Sequence, residues 1–510
     1  MHDNWDNAFL HYRELMDNSL YSVAQLRAIE QAAAAALGPH ALMPRAGAAA
    51  AALALELIGP RRDLPVLLLA GPGNNGGDAI EVAANLAGAG LECAVLYLAG
   101  DAVPSGSTAH ALGRARAAQV RFVDSVPDGV RWSLAIDGLF GIGLGRPLQG
   151  RMRELVLALE SLPCPVLALD VPSGLDADTG AVTGPDGVAV RATHTITFIG
   201  DKPGLHTGDG RDHAGAVRVS RLDIDAALFV PCAAHLNGTS LFGHRLRPRR
   251  HNSHKGSYGD VVVVGGAHGM SGAPVLAARG ALYAGGGRVF VAAIDPGPAL
   301  DVVQPEIMFR SASDVERAGR TLVVGPGMGD SAGAMRLLSR VLDGSAPLVL
   351  DADALNLVAA SPDLQGRLEQ HAGASVLTPH PLEAARLLGV TAAVVQGDRL
   401  EAARELAARL QAVVVLKGSG TVVARADGQV AVNPTGNPGL SSAGTGDVLA
   451  GVCGALLAQG WPSWEAALGA VWLHGAAADR LVAQGVGPIG MTAGELPAAV
   501  RAELNGLIGR

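Results

Sequence analysis

Long apolar runs alternate with helix-forming segments along most of the chain. The first half contains LPVLLLA, ECAVLYLAG, SLAIDGLFG, CPVLALDVPSG and THTITFIG, and the second half contains GDVVVVGG, RVFVAAI, TLVVGPGMG, PLVLDADALN, SVLTPHPLEAARLLG and VVVLKGSGT. Strands that are apolar throughout, rather than at every other position, are typical of parallel sheets buried on both faces. Their alternation with helices predicts an α/β fold with doubly wound sheets.

Capping and breaking residues predict where several helices begin and end. The segment SVAQLRAIEQAAAAALG, from Ser22 to Gly38, has a serine able to cap its start and a glycine at its end. The segments GTGDVLAGVCGALLAQG and SWEAALGAVWLHGAAADRLVAQG are predicted to be the two helices that end the chain, separated by a break at Trp461 and Pro462.

The pattern of strands and helices stops once and then restarts, which in a chain of 510 residues predicts two large domains. The composition shifts between Phe242 and His254 to the basic stretch FGHRLRPRRHNSH. This stretch is predicted to be a linker or an entry loop, and a role in holding phosphates is the alternative. We place one domain at residues 1–235 and the other at residues 236–510.

Composition and charge narrow the class of protein. A hydrophobic content of 49% with 17% charged residues indicates a folded globular chain, and a net charge of −8 argues against general nucleic-acid binding. The cysteines Cys93, Cys164, Cys232 and Cys453 are widely spaced, which argues against a disulfide framework or a zinc site. The first residues are acidic where a signal peptide is basic, and no run reaches the ~20 apolar residues of a membrane span. We therefore expect a cytoplasmic protein that does not associate with membranes.

The first glycine-rich turn, GPGNNGGD, follows a predicted strand and opens a predicted helix. Its glycines let backbone amides approach an anion at a helix start, where the helix dipole favours negative charge. Neither the GxGxxG pattern nor the Walker pattern with its lysine fits, so an ordinary dinucleotide fold or P-loop is not supported. A turn that binds no ligand is the alternative, and the crowded side-chain oxygens of Asn74, Asn75 and Asp78 argue against it.

Two further predicted strands of the first half end in polar motifs, DGLFGIGLGR at Asp137 and DVPSG at Asp170. The side-chain oxygens of Asn75, Asp137 and Ser173 together suit a hard cation. Asp170 is the candidate general base.

In the second half, the segment AGTGD ends at Asp447 and opens a predicted helix. Its amides can form an anion hole for a transferring phosphoryl group, and Asp447 can take a proton from the attacking hydroxyl. A glycine-capped helix start without a ligand is the alternative. The segment KGSGT closes a strand with a cation, two glycines and two hydroxyls, as a diphosphate clamp would.

Polar residues collect at the predicted carboxyl ends of the second-half strands, the edge at which open α/β sheets bind ligands. His380 lies between two prolines at such an end. A lone histidine is more often structural, but this one is predicted to share its edge with Asp353, Asn356, Lys417 and Asp447.

The motifs AIEQAA, LMPRAG, GPGNNGGD, DGLFGIGLGR, DVPSGLDADTG and DKPGLHTG together resemble the NAD(P)H-hydrate epimerases over essentially the whole first domain. That family has a Rossmann-like fold, binds a potassium ion and interconverts the R and S forms of hydrated nicotinamide nucleotides. The resemblance implies that Asn75, Asp137 and Ser173 are the potassium ligands and that Asp170 is catalytic. The implied substrate contacts are Asn74, Asn75, Gly76, Gly77, Asp78, Gly141, Ile142, Gly143, Leu144, Gly145, Arg146, Asp170 and Lys202.

Two positions depart from the epimerase pattern. Pro44 stands where an acidic or amide residue is usual, and Ala79 replaces the frequent glycine after GGD. Neither removes an implied ligand, but Pro44 could alter an N-terminal lid.

The second-half motifs, with HKGSYGD, GAPVLAARGALYAGGG, GPGMG, DADALN and NPGLSSAGTGDVLAG, closely resemble the ADP-dependent NAD(P)H-hydrate dehydratases of the ribokinase-like superfamily. The match covers nearly all of residues 245–505. It implies a dehydration of the S-hydrate that regenerates NADH or NADPH, consumes ADP, releases AMP and phosphate, and uses a magnesium ion to bridge the phosphates. The implied hydrate contacts are Ala273, Gly327, Gly329, His380 and the catalytic Asp447. The implied adenine-nucleotide contacts are Lys417, Gly418, Ser419, Gly420, Thr421 and Gly446.

Together these resemblances predict a bifunctional repair enzyme for NADHX and NADPHX that forms a homo-oligomer. The alternative is a ribokinase-superfamily kinase of a small metabolite, such as hydroxymethylpyrimidine or hydroxyethylthiazole, fused to a non-catalytic domain that binds a nucleotide or a protein. The epimerase-like half argues against the kinase. The presence of Asn75, Asp137, Asp170 and Ser173 argues against a non-catalytic first domain.

Overall fold

The computed structural model describes residues 18–60, 62–99, 106–297, 299–313 and 320–509. The described chain divides into two compact units, one spanning Ser19–Ala234 and one that begins at His235 and also includes Asn18. We call them the N-terminal unit and the C-terminal unit. Each has its own hydrophobic core, built from its own strands and helices.

The N-terminal unit is built on a seven-stranded sheet in the order β4-β3-β2-β5-β6-β7-β8, in which all neighbouring strands are parallel. In chain order, the strands of this unit are β1 (Ser19–Leu20), β2 (Val66–Ala70), β3 (Cys93–Tyr97), β4 (Arg121–Val123), β5 (Leu134–Gly138), β6 (Val166–Leu169), β7 (His194–Phe198) and β8 (Ala216–Ser220). Counted from β2, this order is that of a Rossmann-type sheet with one additional strand. The order reverses between β2 and β5, and such a reversal is where these sheets bind ligands.

Helices cover both faces of this sheet, as the wholly apolar strands predict. The helices are α1 (Val23–Leu37), α2 (Leu42–Ile58), α3 (Asn74–Gly88), α4 (Gly106–Ala117), α5 (Gly150–Glu160) and α6 (Gly210–His213). The predicted start of α1 is confirmed, since Ser22 and Gln25 form a reciprocal capping box, and Gly38 ends the helix. No single helix among the described residues is long and apolar enough to cross a membrane. Only α1 and α2 taken together have the required length and apolar composition, and a bend of 109° separates them.

The sheet of the C-terminal unit includes the order β18-β17-β16-β15-β14-β13-β10-β11-β12. Its strands are β9 (Ala234–Leu236), β10 (Asp260–Gly265), β11 (Arg288–Ala293), β12 (Met308–Ser311), β13 (Thr321–Val324), β14 (Leu348–Leu350), β15 (Ser375–Leu377), β16 (Val413–Leu416), β17 (Val422–Ala424) and β18 (Val430–Val432). The strands from β16 to β12 are parallel, whereas β17 is antiparallel to both of its neighbours. The sequence analysis did not predict this antiparallel pair.

The helices of the C-terminal unit are α7 (Thr239–Phe242), α8 (Gly272–Tyr283), α9 (Ala332–Leu342), α10 (Ala352–Ala360), α11 (Pro362–Glu369), α12 (Pro381–Leu388), α13 (Ala392–Gly397), α14 (Arg399–Leu410), α15 (Thr445–Ala458), α16 (Ser463–Ala483) and α17 (Leu496–Ile508). The predicted break at Trp461 and Pro462 does separate α15 from α16. The prediction that these two helices end the chain was wrong, because α17 follows and buries Leu496 and Val500 against the core.

Helices α8 and α15 pack with their backbones in close contact. A Cβ atom placed on Gly451 of α15 would lie 1.9 Å from the carbonyl oxygen of Ala277, and one on Gly280 of α8 would lie 2.5 Å from that of Val448. Only glycine allows this approach. The contact holds α15, and therefore the predicted catalytic segment at its start, in a fixed place beside α8.

We expect Gly451→Ala to lower the free energy of unfolding by about 1–3 kcal/mol, because the added methyl group forces the two helices apart. The matched control is Gly366→Ala in α11, where a Cβ atom meets nothing within 4 Å. That change should stabilise the protein by about 0.5–1 kcal/mol through helix propensity. Chemical denaturation of both variants checks the prediction, and an unchanged stability of Gly451→Ala would contradict it.

Candidate active sites

The three predicted cation ligands lie at the point where the strand order of the N-terminal unit reverses. Asn75 is in the first turn of α3, directly after β2, Asp137 is in β5, and Ser173 follows β6. The Asp137 carboxylate accepts hydrogen bonds from the Ser173 amide at 2.8 Å, the Ser173 hydroxyl at 2.7 Å and the Leu139 amide at 3.2 Å. Burial nevertheless raises the pKa of Asp137 to about 6.

Asn75 contributes an oxygen that has no partner. Its Nδ2 donates to the Leu169 carbonyl at 3.1 Å, while its buried Oδ1 has no hydrogen-bond partner in the described part of the chain. A buried acceptor left unpaired costs free energy, and so does a buried carboxylate without a counterion. A bound monovalent cation would satisfy both groups, so the residues present fit the predicted potassium ion.

A cavity of about 670 Å³ is lined by Asn75 but not by Asp137 or Ser173, which are buried. Its lining includes the predicted substrate contacts Asn74, Asn75, Asp78, Gly141, Ile142, Gly143, Leu144, Asp170 and Lys202. The predicted contacts Gly76, Gly77, Gly145 and Arg146 are not part of that lining. Gly76 and Gly77 also meet a packing constraint, since a Cβ atom on them would lie 1.9 Å from the Gly71 carbonyl oxygen and 2.4 Å from Met43, respectively.

Asp170 is held in an unusual conformation by a buried lysine. Its backbone has φ 66°, a left-handed conformation that aspartate tolerates better than most residues. Its Oδ1 lies 2.9 Å from Nζ of Lys202, and its Oδ2 accepts the Ile142 amide at 3.2 Å. Ile199, which also lines the cavity, has φ 69°. For a β-branched residue this is a strained conformation, and such strain concentrates at functional sites.

Glu30 is a cavity residue that the sequence analysis did not identify as part of the site. It comes from α1 and faces the same cavity as Asp78 and Asp170. Burial, followed by the charge of Asp170, raises the pKa of Glu30. Burial also raises the pKa of Asp78 well above its ordinary value, with Asp170, Glu30 and Glu81 adding to the effect. The cavity therefore favours protonated carboxyl groups beside one carboxylate that is paired with a lysine.

The two departures from the epimerase pattern are accommodated locally. Pro44 lies in the first turn of α2, where a missing backbone N–H costs no helical hydrogen bond. Ala79 is buried in α3, and its side chain packs toward the backbone of Gly138.

In the C-terminal unit, Asp447 lies in the first turn of α15. Gly444 precedes this helix with φ 89°, and the first-turn amides have no carbonyl partners within the helix. A Cβ atom on Gly446 would lie 3.3 Å from Nζ of Lys417, so the helix start faces the lysine that follows β16. The structure thus brings the AGTGD and KGSGT segments together.

Lys417 is surrounded by carboxylates that the sequence analysis did not name. Its Nζ lies 2.6 Å from Oδ1 of Asp351 and 3.9 Å from Oε2 of Glu383. Burial opposes the charged amine, but Asp351 and Glu383 outweigh it and raise the pKa of Lys417. Asp351 also accepts the Thr378 hydroxyl at 2.8 Å. Both acids follow predicted strands and could have been identified from the sequence. The sequence analysis named their neighbours Asp353 and His380 instead.

Burial raises the pKa of Asp447 from 3.8 to about 7. The charge of Asp351 adds to this effect, and Lys417 opposes it. A carboxylate whose pKa lies near neutrality is suited to general-base catalysis at physiological pH.

The predicted hydrate contacts Ala273, Gly327 and Gly329 lie close to one another, because hypothetical Cβ atoms on both glycines would contact Met270 and the one on Gly327 would also contact Ala273. Ala273 is in the first turn of α8, and a Cβ atom on Gly327 would lie 3.3 Å from its side chain. The Gly329 amide donates to Oδ2 of Asp353 at 2.8 Å, and the charge of Asp353 contributes to the raised pKa of Asp447.

His380 has a structural role in addition to its place at this edge. Its Nδ1 accepts the amides of Leu382 and Glu383 at 3.1 and 3.2 Å, which caps the start of α12. Because Nδ1 accepts, the ring proton is on Nε2, which lies 3.3 Å from Oε1 of Glu383. Asn356 accepts a hydrogen bond from Arg386 at 2.6 Å.

The predicted nucleotide segment forms a glycine-rich loop between β16 and β17. Gly418 has φ 139° and Gly420 has φ 58°, and the Thr421 hydroxyl donates to the Gly418 carbonyl at 3.1 Å. Ser419 lies exposed between the two glycines. The loop, Lys417 and Gly446 all lie at the carboxyl edge of the parallel strands.

The basic stretch near residue 245 is engaged by protein partners. Arg245 lies 3.3 Å from Glu465, and Arg249 donates to the Gly285 carbonyl at 2.6 Å while stacking 3.7 Å from the ring centre of Tyr258. These contacts favour the linker interpretation over a phosphate-binding role.

The chain thus has two α/β units, with a polar cavity at the reversal of strand order in one and a partly buried carboxyl, Asp447, at a helix start that faces Lys417 in the other. Residues 39–204 match the family model of the YjeF-related protein N-terminus, and residues 261–500 match that of NAD(P)H-hydrate dehydratase. The chain is 37% identical to the bifunctional NAD(P)H-hydrate repair enzyme Nnr of Escherichia coli, over 94% of this chain and 92% of that protein. It is also 37% identical to the protein of that name from Coxiella burnetii, over 95% of this chain and 99% of that protein. The chain therefore belongs to the family of bifunctional NAD(P)H-hydrate repair enzymes.

Family membership confirms the predicted fold class, enzyme class and bifunctional organisation, and the kinase alternative falls because the relatives match across both halves. Among solved structures, an ADP/ATP-dependent NAD(P)H-hydrate dehydratase from Bacillus subtilis, co-crystallised with ATP and Mg²⁺, is 32% identical. The match covers 51% of this chain and 94% of that chain, with a TM-score of 0.46. The yeast protein YNL200c matches at 21% identity over 37% of this chain and 81% of that chain, with a TM-score of 0.32.

The raised pKa of Asp447 predicts that this carboxylate destabilises the fold when it is ionised. Above pH 7 the group is ionised in both the folded and the unfolded states, so its full destabilising effect on the fold is present. Between about pH 7 and 3.8 the folded state takes up a proton and the unfolded state does not. The destabilising effect therefore decreases as the pH falls through this range. We expect Asp447→Asn to raise the free energy of unfolding at pH 8 by up to about 4 kcal/mol, since one pKa unit corresponds to about 1.36 kcal/mol.

The same gain should be much smaller at pH 5. Denaturant unfolding at the two pH values checks this prediction, with Asp363→Asn in the exposed start of α11 as the control. A gain from Asp447→Asn that is equal at both pH values, or absent, would show that the carboxylate is not strained by burial.

Proposed function

We propose that the N-terminal unit epimerises the R and S forms of NADHX and NADPHX, and that the C-terminal unit dehydrates the S form with ADP. The observation that carries the proposed dehydration is the position of Asp447 in the first turn of α15, at a helix start that faces Lys417, together with its pKa, which burial raises to about 7. We assign the first activity to residues 1–235 and the second to residues 236–510.

In the proposed dehydration, Asp447 takes the proton of the ring hydroxyl as the oxygen attacks the terminal phosphorus of ADP. The bond between that phosphorus and the bridging oxygen breaks, and AMP leaves. The phosphorylated oxygen then departs as phosphate, driven by the lone pair of the ring nitrogen, and loss of a proton from the neighbouring carbon restores the reduced nicotinamide. The amides at the start of α15 and the amine of Lys417 stabilise the charge on the transferring group.

We assign the hydrate to Ala273, Gly327, Gly329, His380 and Asp447, and the nucleotide to Lys417, Gly418, Ser419, Gly420, Thr421 and Gly446. A magnesium ion bound with the nucleotide would neutralise part of the phosphate charge. Among the described residues, no group of three or more His, Cys, Asp or Glu side chains could hold a metal ion.

In the proposed epimerisation, a protonated carboxyl of the cavity donates its proton to the hydroxyl, and the carbon–oxygen bond breaks to release water. The resulting cation is planar and stabilised by the ring nitrogen, so water can add to its other face and lose a proton to a carboxylate. Asp78 suits the acid because its pKa is raised well above its ordinary value. Asp170 suits the base because it lines the cavity and its Oδ1 is paired with Nζ of Lys202 at 2.9 Å.

We further propose that Asn75, Asp137 and Ser173 bind potassium. The support is the unpartnered buried oxygen of Asn75 and the buried carboxylate of Asp137. One carboxylate among neutral oxygens suits a monovalent ion, whereas calcium and magnesium sites gather more carboxylates or phosphates. Homo-oligomeric assembly and a cytoplasmic location remain predictions from the sequence.

Replacing Asp447 with Asn keeps the shape of the side chain and removes the base. We expect dehydration of the S-hydrate to fall by about 10²–10⁴-fold, the usual contribution of a general base, while ADP still binds. In the native protein, dehydration should rise about tenfold from pH 6 to pH 8 as Asp447 ionises. Recovery of the absorbance of reduced nicotinamide measures both effects, and near-normal turnover by the variant would exclude Asp447 as the base.

Epimerisation should require potassium and an ionised Asp137. In Asp137→Ala we expect both the thermal stabilisation by potassium chloride, relative to choline chloride, and epimerisation to be lost, while dehydration of the S-hydrate continues. In the native protein the stabilisation should fade below pH about 6, where Asp137 takes up a proton. The exposed Asp128→Ala is the control. Full epimerisation in potassium-free buffer would refute the site.

The two activities should be separable because each unit has its own core. Expressed alone, residues 1–235 should epimerise without nucleotide, and residues 236–510 should consume only the S-hydrate. Chromatographic separation of the two epimers over time measures both reactions. Equal consumption of both epimers by the isolated second segment would contradict the proposed division of labour.

A further inference from the structure

Arg399 is an arginine buried inside the C-terminal unit, with only 1% of its surface exposed. It is the first residue of α14, and the preceding Asp398 caps that helix by accepting the Glu401 amide at 2.9 Å. Burial lowers the pKa of Arg399 to about 10, which still leaves the guanidinium charged at neutral pH. A buried charge is costly, so its contacts indicate what it is retained for.

The guanidinium contacts the backbone that leads into the glycine-rich loop. Its Nη2 donates to the carbonyl oxygens of Leu416 at 3.1 Å and Lys417 at 3.2 Å, while Nη1 donates to the side chain of Gln396 at 2.5 Å. A Cβ atom on Gly418 would lie 3.0 Å from both terminal nitrogens, so the absence of a side chain at this position makes room for the guanidinium.

Because the peptide bond is planar, this contact also determines the orientation of the Gly418 amide. In a trans peptide the C=O and the following N–H point in opposite directions. With the Lys417 carbonyl held by Arg399, the Gly418 amide must point away from the guanidinium. A cation bound to the carbonyl also polarises the peptide and strengthens that amide as a donor.

We propose that Arg399 is the positioning residue of the nucleotide site, setting the peptide between Lys417 and Gly418 so that its N–H and the Lys417 amine face the phosphates of ADP. The inference rests on the proposed binding of the nucleotide by residues 417–421. Arg399 itself does not touch the nucleotide; it acts through the loop backbone. Lysine cannot replace it fully, because a single amine cannot reproduce the planar fork that reaches both carbonyls and Gln396.

The test compares Arg399→Lys with Arg404→Met, a control on the same helix. Arg404 also donates to a backbone carbonyl, that of Gly428 at 3.3 Å, but outside the nucleotide loop. In Arg399→Lys we expect the Kd and KM for ADP to rise by roughly tenfold or more, the usual effect of losing a charged hydrogen bond. The KM for the S-hydrate and the melting temperature should remain close to those of Arg404→Met. Calorimetric titration with ADP and steady-state kinetics provide these values.

Hydrogen–deuterium exchange gives a readout without nucleotide. Exchange in a peptide covering residues 416–421 should increase in Arg399→Lys, while exchange within α14 stays unchanged. If Arg399→Lys binds ADP within twofold of the native protein, or if the KM values for ADP and hydrate rise equally, the positioning role is refuted. If the native protein itself binds no ADP, the proposed function fails instead, and the two failures are therefore distinguishable.

Discussion

Each unit places a lysine–aspartate pair at the carboxyl ends of its parallel strands, and the chemistry of each site depends on that pair. Lys202 lies 2.9 Å from Asp170 in one unit, and Lys417 lies 2.6 Å from Asp351 in the other. The strands themselves are apolar and buried on both faces, so a charged group beside them is costly unless it has a partner. The pair gives one carboxylate in each site a direct cation partner.

The other carboxyls at each edge have no cation of their own, and burial raises their pKa values. Asp447 reaches about 7 and Asp137 about 6, and the pKa of Asp78 is raised well above its ordinary value. One arrangement therefore supplies ionised and protonable carboxyls side by side, as acid–base chemistry requires. In the first unit, the unpartnered oxygen of Asn75 and the buried Asp137 add a demand for a small cation.

Glycines allow the backbone to come close enough for these sites to form. Gly451 lets α15 pack against α8, and Gly446 brings the start of α15 against Lys417. Gly418 leaves space for the Arg399 guanidinium beside the glycine-rich loop between β16 and β17. The glycines of the motifs thus meet packing constraints of the backbone, and Gly76 and Gly77 are among those that do.

Much of the protein followed from the sequence by itself. The apolar runs determined the parallel strands, and Ser22 and Gly38 determined the ends of α1. The polar residues after each run determined the edge of the sheet at which the candidate sites lie. All of these are local properties of the chain. Only the tertiary structure decided that Glu30, Asp351, Glu383 and Arg399 join those sites and that His380 caps α12. These roles and the shifted pKa values depend on burial and on contacts between segments that are far apart in the sequence. No pattern along the chain reveals such contacts. The sequence analysis also missed β17, β18 and α17. Packing against the rest of the C-terminal unit stabilises these elements, and their own sequence patterns do not indicate them.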